Sequence, residues 1–229
     1  MPQSRNDALR NEMVETQIVA RGIKDRRVLD AMRKVPREMF LPEEAADRAF
    51  ADGAVGIGQD QTISQPYIVA LMTEAAGLTP QCHVLDVGTG SGYGAAVAAQ
   101  LADQVFTIER IPELADAARK RFHDLHYDNI HSRVGDGSQG WPEQAPFDAI
   151  LVAAAASVVP EALCAQLKIG GRLVIPIGSG GGQRLMRIER STAHGFRETD
   201  LGPVAFVPLL GDYGPQAGKV DRGTGGYNH

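Results

Sequence analysis

The feature that most constrains the fold of this chain is a regular alternation of short apolar strands with helices, which starts at residue 83. Such alternation is typical of a parallel sheet covered by helices on both faces. The pattern predicts strands at 83–87, 104–110, 129–136, 147–156 and 171–178, with helices at 91–102, 111–125 and 159–167. Residues 183–191 and 195–210 look like a hairpin that adds an antiparallel edge. The predicted fold class is α/β, with a mostly parallel, doubly wound sheet and an antiparallel C-terminal edge.

The residues before this alternation show helical spacing and then an irregular, polar stretch. A candidate N-cap, Asp25, opens the second of two predicted helices. We predict one domain over residues 1–211, with a helical N-terminal addition at 1–60 and an α/β core at 61–211. Residues 212–229 are Gly-rich and carry few aliphatic side chains, so we expect a disordered tail there.

The composition excludes several classes of protein. A net charge of −5 with no basic block disfavours binding to nucleic acid through phosphate neutralisation. The longest apolar run, "AILVAAAASVV", is too short to cross a bilayer, and the polar N-terminus lacks a signal peptide's apolar core. The two cysteines lie far apart and form no metal-ligand pattern. We therefore expect a cytoplasmic protein with free thiols, no metal and no membrane partner.

Glycines and acidic residues follow the first predicted strands in a pattern that indicates nucleotide binding. Gly88, Gly90 and Gly92 stand between a strand and a helix, where the backbone can turn sharply and approach a ligand. Glu109 ends the second strand, where a carboxylate can accept hydrogen bonds from ribose hydroxyls. Asp136 ends the third strand, where we expect it to face an adenine ring. The carboxyl ends of adjacent parallel strands are where open α/β sheets bind ligands.

The identity of the nucleotide follows from the loop itself. The loop reads G-x-G-x-G, which departs from the G-x-G-x-x-G of dinucleotide sites, and Asp86 lies within the motif. A carboxylate here would repel a pyrophosphate but suits a ligand with a sulfonium and an ammonium group, which points to S-adenosylmethionine. The alternative is that Asp86 and Glu109 only cap the helices that follow. The predicted cofactor-binding residues are Asp86, Gly88, Thr89, Gly90, Gly92, Glu109, Arg110, Asp136 and Gly137.

Just upstream, residues 56–70 read "GIGQDQTISQPYIVA", with many small hydrogen-bonding groups ahead of an apolar helix. From composition alone, this stretch is a capped helix start with Thr62 or Ser64 as the N-cap. A resemblance gives it another meaning. The segments "QTISQPYIVALM", "VLDVGTGSGYGAAVAA", "GDGSQGWPEQAPFDAILVAAAA", "QLKIGGRLVIPIG" and "FVPL" resemble the protein-L-isoaspartate (D-aspartate) O-methyltransferase family, from about Val14 to Leu209.

The resemblance implies a Rossmann-like methyltransferase fold in which the order of the last strands is altered. It also implies a cytosolic enzyme that transfers a methyl group from S-adenosylmethionine to the α-carboxylate of L-isoaspartyl residues in damaged proteins or peptides. The resulting ester would cyclise to a succinimide and reopen partly to aspartate. We expect the enzyme to act as a monomer.

The resemblance also assigns residues to the acceptor side of the site. Ser64 is the expected catalytic hydroxyl, standing beside the acceptor carboxylate. A carboxylate with a pKa near 4 is ionised at neutral pH, so it needs alignment with the methyl group and no general base. Small hydroxyls and main-chain N–H groups suit that task. The other predicted substrate-binding residues are Gln61, Thr62, Ile63, Val152 and Ala153.

Three positions and one short segment depart from the family's usual pattern on the acceptor side. Ala153 stands where a threonine is common, Asp60 where a second glycine is common, Phe50 where a tyrosine is common, and "VGIG" where L-P-I-G is common. These departures keep two alternatives open. One is a related carboxyl methyltransferase with another peptide acceptor, and the other is a non-catalytic binding protein that keeps the cofactor fold.

Overall fold

The structure is a computed structural model that describes residues 5–211, and its N-terminal part is mainly helical. Its first two helices are α1 (Arg5–Met13) and α2 (Arg26–Lys34), with a π-helical turn at Val14–Ile18 and a 3-10 turn at Val19–Arg21 between them. Two further 3-10 turns follow at Arg37–Phe40 and Glu43–Arg48. Asp25 caps α2 as predicted, because its side chain accepts a hydrogen bond from the Arg27 N–H.

A small hairpin follows, which the sequence patterns do not predict. Strands β1 (Val55–Gly58) and β2 (Gln61–Ile63) pair antiparallel. The turn residues Gln59 and Asp60 have φ values of 52° and 55°, as a two-residue turn of the mirror-image type requires. The hairpin lies across the predicted boundary at residue 60. The strands have only four and three residues, and two of the four in β1 are glycines, so they offer too little alternation to be recognised. Packing of Val55 and Ile63 in the core stabilises them instead.

After helix α3 (Pro66–Ala76), the chain builds a seven-stranded sheet in the order β5-β4-β3-β6-β7-β8-β9. Neighbouring strands from β5 to β7 pair in parallel, and β7, β8 and β9 pair antiparallel. The strands are β3 (His83–Val87), β4 (Gln104–Glu109), β5 (Ile130–Val134), β6 (Phe147–Val152), β7 (Leu167–Ile177), β8 (Arg184–Arg190) and β9 (Phe196–Pro203). The helices between them are α4 (Tyr93–Ala99), α5 (Pro112–Asp124) and α6 (Glu161–Ala165). The predicted fold class is confirmed, and the last three strands follow one another in chain order.

Two apolar clusters cover the two faces of the sheet. One joins the N-terminal helices with α3 and α4, and the other lies under α6 and the short turns near Trp141. The chain reverses its direction of sheet growth between β3 and β6, which opens a crevice at the carboxyl ends of those strands. No helix within residues 5–211 reaches the length and apolar character needed to span a membrane.

The last described segment differs from the prediction in a way that shapes the site. The sequence predicts a strand at 195–210, but β9 stops at Pro203 and the chain then runs across the carboxyl ends of the sheet. There the Ala155 N–H donates to the Val207 carbonyl, and the Leu209 N–H donates to the Ala155 carbonyl, both at 2.8 Å. The predicted tail at 212–229 lies outside the described residues.

Candidate active site

A cavity that is partly open to solvent lies at the carboxyl ends of β3, β4 and β6. The hairpin strand β2 and the residues after it form one wall, and the segment at 207–210 forms another. Twelve of the predicted site residues line this cavity: Gln61, Thr62, Ile63, Ser64, Asp86, Gly88, Thr89, Gly90, Glu109, Arg110, Gly137 and Ala153. The structure therefore brings the predicted cofactor loop and the predicted acceptor loop to the same cavity.

The glycine loop turns tightly between β3 and α4. Gly88 and Gly90 have φ values of 89° and 51°, a backbone conformation that favours glycine. The Gly88 N–H donates to the Ile108 carbonyl at 2.9 Å, which ties the loop to β4. A Cβ on Gly90 would lie 3.5 Å from Ile57 Cδ1, so the β1–β2 hairpin packs directly over the loop.

Asp86 is buried at the floor of the cavity and belongs to a chain of hydroxyl groups. Thr107 Oγ1 donates a 2.6 Å hydrogen bond to Asp86 Oδ2, and the hydroxyls of Thr89 and Thr107 lie 2.5 Å apart. Burial raises the pKa of the Asp86 carboxyl to about 7, the Thr107 hydrogen bond lowers it in part, and the charge of Glu109 raises it further. A buried carboxylate of this kind favours a cationic ligand.

Glu109 ends β4, and its two carboxylate oxygens accept different main-chain hydrogen bonds. The Gly90 N–H donates to Oε2 at 2.8 Å and the Ile111 N–H to Oε1 at 2.9 Å. The side chain thus supports the glycine loop and the start of α5 while it also lines the cavity. Two buried carboxylates in one cavity fit a ligand that carries both hydroxyl donors and positive charge.

Three predicted site residues lie outside the set that lines the cavity. Val152 is fully buried in the apolar core beside Ala153. Gly92 caps α4 with a φ of 92°, and a Cβ there would lie 2.7 Å from the Phe122 ring, so its lack of a side chain serves helix packing. Asp136 accepts a 2.9 Å hydrogen bond from the Ser138 N–H. A Cβ on Gly211 would lie 2.3 Å from Asp136 Oδ1, so the chain at Gly211 passes directly against this carboxylate.

The capped-helix interpretation of the acceptor loop does not match the structure. Helix α3 begins at Pro66 with Gln65 as its N-cap residue, and no side chain caps the helix there. Neither Thr62 nor Ser64 caps α3, and both line the cavity instead. The small hydroxyl groups of this stretch therefore face the site.

A groove adjoins the cavity on the side of the C-terminal segment. Four residues line both spaces: Thr62, Ser64, Ala153 and Val207. The rest of the groove comes from Ala54, Gln65, Ile68 and residues 203–206. Within the described part of the chain, the side chains lining this groove carry no ionisable group.

The structure also shows where the departures from the family pattern lie. Asp60 is exposed in the hairpin turn and is not among the residues that line the cavity or the groove, so its carboxylate faces solvent. Phe50 packs against the N-terminal core, and its carbonyl accepts a 2.8 Å hydrogen bond from Gln17 Nε2. Of the three, Ala153 lines both spaces.

Several residues of the site are absent from the sequence predictions. Tyr93 and Thr73 line the cavity from the helices, and residues 207–210 close it from the C-terminal side. The segment "FVPL" carries part of the family resemblance, and that signal could have placed residues 206–209 at the site. Among residues 5–211, no three His, Cys, Asp or Glu side chains group together as metal ligands do.

Comparison with known proteins agrees with this geometry. The model of the protein-L-isoaspartate (D-aspartate) O-methyltransferase family matches residues 8–214. Protein-L-isoaspartate O-methyltransferases from Methylorubrum extorquens and Methylorubrum populi are 59% and 58% identical over 88% and 89% of this chain, and the matches cover 88% and 96% of those proteins.

Solved structures of protein-L-isoaspartate O-methyltransferases also resemble this chain. The beta-aspartate methyltransferase of Plasmodium falciparum, in complex with S-adenosyl-L-homocysteine, superposes with a TM-score of 0.76 at 29% identity, over 87% of this chain and 97% of that one. A second protein-L-isoaspartate O-methyltransferase superposes with a TM-score of 0.79 at 27% identity, over 90% of this chain and 67% of that one. Sequence, fold and site geometry agree, and the chain belongs to the protein-L-isoaspartate (D-aspartate) O-methyltransferase family.

Proposed function

We propose that this protein transfers a methyl group from S-adenosylmethionine to the α-carboxylate of L-isoaspartyl residues in damaged proteins and peptides. The observation that carries the proposal is the shared wall between the cavity and the groove. Thr62, Ser64, Ala153 and Val207 line both, so a ligand in the cavity and an acceptor in the groove would meet beside these residues. Relatives at 58–59% identity carry the name of this activity.

The buried carboxylates suit the cofactor side of the site. Glu109 would accept hydrogen bonds from the ribose hydroxyls, and Asp86 would face the positively charged end of the ligand. The glycine loop would let the ligand approach the main chain closely. S-adenosylmethionine supplies an electrophilic methyl group on a sulfonium. We keep Arg110, Asp136 and Gly137 as proposed contacts, since all three lie at the ends of β4 and β5.

The uncharged groove suits an acceptor that is already a nucleophile. A free carboxylate is ionised at neutral pH, so the protein needs no general base to activate it. Proximity and alignment then supply most of the rate. We propose that the Ser64 hydroxyl donates a hydrogen bond to the acceptor carboxylate and aligns it, while Gln61, Thr62, Ile63 and the chain at Val152–Ala153 shape the pocket around it.

The test is methyl transfer to two matched peptides that differ only in carrying L-isoaspartate or normal aspartate. We expect base-labile label on the isoaspartyl peptide alone. If neither peptide is labelled while calorimetry shows S-adenosylmethionine binding, the proposed acceptor is wrong and the proposed cofactor is supported. If neither transfer nor binding occurs, the whole proposal fails.

One observation favours a second candidate, a carboxyl methyltransferase with a different peptide acceptor. Ala153 lines both spaces at a position where the family commonly has threonine. Label on the normal aspartyl peptide, or on other carboxylates of a protein mixture alone, would favour that candidate. We further propose a cytoplasmic monomer, which is consistent with the free thiols of Cys82 and Cys164 and is testable by light scattering.

A further inference from the structure

Arg37 is a charged residue in an unusual place. It lies in the 3-10 turn Arg37–Phe40 and is fully buried, with a relative exposure of 0%. Its Nε donates to the Ala49 carbonyl at 2.8 Å, and its Nη2 donates to the Ser64 carbonyl at 2.9 Å. Burial lowers the pKa of the guanidinium, but an arginine side chain keeps its charge in proteins.

A buried charge is unfavourable unless its surroundings compensate for it. Here the compensation comes from two main-chain carbonyl oxygens and from the face of the Tyr93 ring, whose centroid lies 4.8 Å from the guanidinium carbon. An apolar side chain could fill the same volume without the penalty. What only a guanidinium offers is a rigid planar fork that binds two separate carbonyls at once.

The Ser64 carbonyl depends on that fork. It follows β2, which ends at Ile63, and precedes α3, in which the N–H groups of Ile68 and Val69 both donate to the Gln65 carbonyl. Ser64 therefore lies between the hairpin ladder and the helix, and the donor that the structure gives its carbonyl is Arg37 Nη2. Fixing this peptide group restricts the backbone of Ser64, on which the allowed orientations of its side chain depend.

The other contact of the guanidinium reaches the cofactor side. Tyr93 is the first residue of α4, directly after the glycine loop, and it lines the cavity. Its ring also packs edge-on against Phe40 at 5.6 Å between centroids. One buried side chain thus contacts both the acceptor loop at Ser64 and the helix that carries the cofactor loop.

We infer that Arg37 is a positioning residue for methyl transfer, which holds the Ser64 main chain at a set distance from the glycine-loop helix. This inference rests on the proposed function of the same site. Arg37 lines neither the cavity nor the groove within the described residues, so it acts through Ser64 and Tyr93 and does not touch either ligand.

Arg10 provides a matched control because it is also a buried arginine of the N-terminal addition. It is 5% exposed, and it binds Glu38 at 2.6 Å, Asp7 at 3.1 Å and the Arg33 carbonyl at 3.1 Å. None of these partners belongs to the acceptor loop. Loss of its fork should therefore weaken the packing of the same helices without changing the position of Ser64.

The experiment compares full-length Arg37→Lys and Arg10→Lys, each of which keeps a charge and loses the fork. Calorimetry gives the affinity for S-adenosylmethionine, and steady-state kinetics give kcat and KM for the isoaspartyl peptide, all well below the unfolding temperature. We expect Arg37→Lys to lower kcat on the order of 10- to 100-fold, since small misplacements of reacting groups have effects of that size. We expect its affinity for S-adenosylmethionine, and all constants of Arg10→Lys, to stay within about threefold of the starting protein.

Hydrogen–deuterium exchange provides a readout that needs no catalysis. In Arg37→Lys, amides at 61–68 should exchange faster than in Arg10→Lys, because the loop has lost its anchor. If the starting protein methylates no isoaspartyl peptide, the proposed function fails and exchange alone decides the role of Arg37. If the lysine variant does not fold, Arg37→Gln takes its place, because the glutamine side chain is neutral and keeps an amide NH₂ group as a donor.

The inference is overturned if a folded Arg37 variant keeps kcat within about threefold of the starting protein. It is also overturned if Arg10→Lys loses kcat to the same degree at equal stability, or if exchange at 61–68 is the same in both variants. A loss of kcat with faster exchange, confined to the Arg37 variants, supports it.

Discussion

The Gly90 N–H donates a 2.8 Å hydrogen bond to Glu109 Oε2, so the carboxylate that is proposed to bind ribose also holds the glycine loop in place. The second oxygen, Oε1, accepts a hydrogen bond from the Ile111 N–H. A change at Glu109 therefore acts on the ligand directly and on the shape of the loop that surrounds it.

We expect Glu109→Ala to weaken S-adenosylmethionine binding on the order of 100-fold, because the variant loses the proposed ribose hydrogen bonds and leaves two main-chain N–H groups without their acceptor. Calorimetry measures the affinity. Glu113→Ala, which removes an exposed carboxylate from the first turn of α5, is the control for charge and should bind normally. Normal S-adenosylmethionine binding by Glu109→Ala would exclude Glu109 as a cofactor contact.

Asp86 should make both stability and cofactor affinity depend on pH. Its pKa in the folded protein is about 7, above the usual value near 4 in an unfolded chain. Between these values the folded protein holds a proton that the unfolded chain has released. The free energy of unfolding should therefore fall as pH rises from about 4 to about 7. Above pH 7 the folded protein bears the full cost of the buried, ionised Asp86 carboxylate, and the free energy of unfolding should fall no further from this cause.

A cationic ligand favours the ionised carboxylate, so affinity should change in the opposite sense. We expect S-adenosylmethionine to bind about tenfold more tightly at pH 8 than at pH 6 as Asp86 ionises. Asp86→Asn should lose this pH dependence of the affinity. The amino group of the ligand titrates in both proteins, so the difference between their pH profiles isolates the contribution of Asp86. An equal pH dependence in both proteins, measured by calorimetry, would exclude Asp86 as its source.

Ser64→Ala should separate catalysis from cofactor binding. The loop lines the cavity, but the proposed cofactor contacts are Asp86, Glu109 and the glycine loop, so we expect that affinity to be unchanged. Turnover with the isoaspartyl peptide should fall on the order of 10- to 100-fold, because the aligning hydrogen bond is lost. Ser191→Ala, in the exposed β8–β9 turn, is the control. Unchanged turnover in Ser64→Ala would remove its hydroxyl from the mechanism.

Gly92→Ala should mainly lower stability. The residue has a φ of 92°, and a Cβ there would lie 2.7 Å from the Phe122 ring, so the variant meets both backbone strain and a clash. We expect a loss of about 2–4 kcal/mol in the free energy of unfolding, measured by denaturant titration. Gly56→Ala is the matched control, because a Cβ at Gly56 meets nothing within 4 Å. Equal stability of the two variants would contradict the packing role.

The sequence by itself determined the parallel sheet and the residues at its carboxyl ends, where we propose that the cofactor binds. These features are local: strands such as His83–Val87 and helices such as α5 have their own hydrophobic periods, and the glycine loop and Glu109 lie at strand ends. Position along the chain then implies position in space, because the carboxyl ends of neighbouring parallel strands meet at one edge.

Only the tertiary structure decided how that site is enclosed. The β1–β2 hairpin is too short and too rich in glycine to show a period, and it takes its place by packing Ile57 over Gly90. The segment at 207–210 lies beyond the last strand and lines the cavity, and two main-chain hydrogen bonds with Ala155 hold it there. Arg37 reaches Ser64 across 27 residues of chain, and its buried fork is a long-range contact that no local pattern encodes.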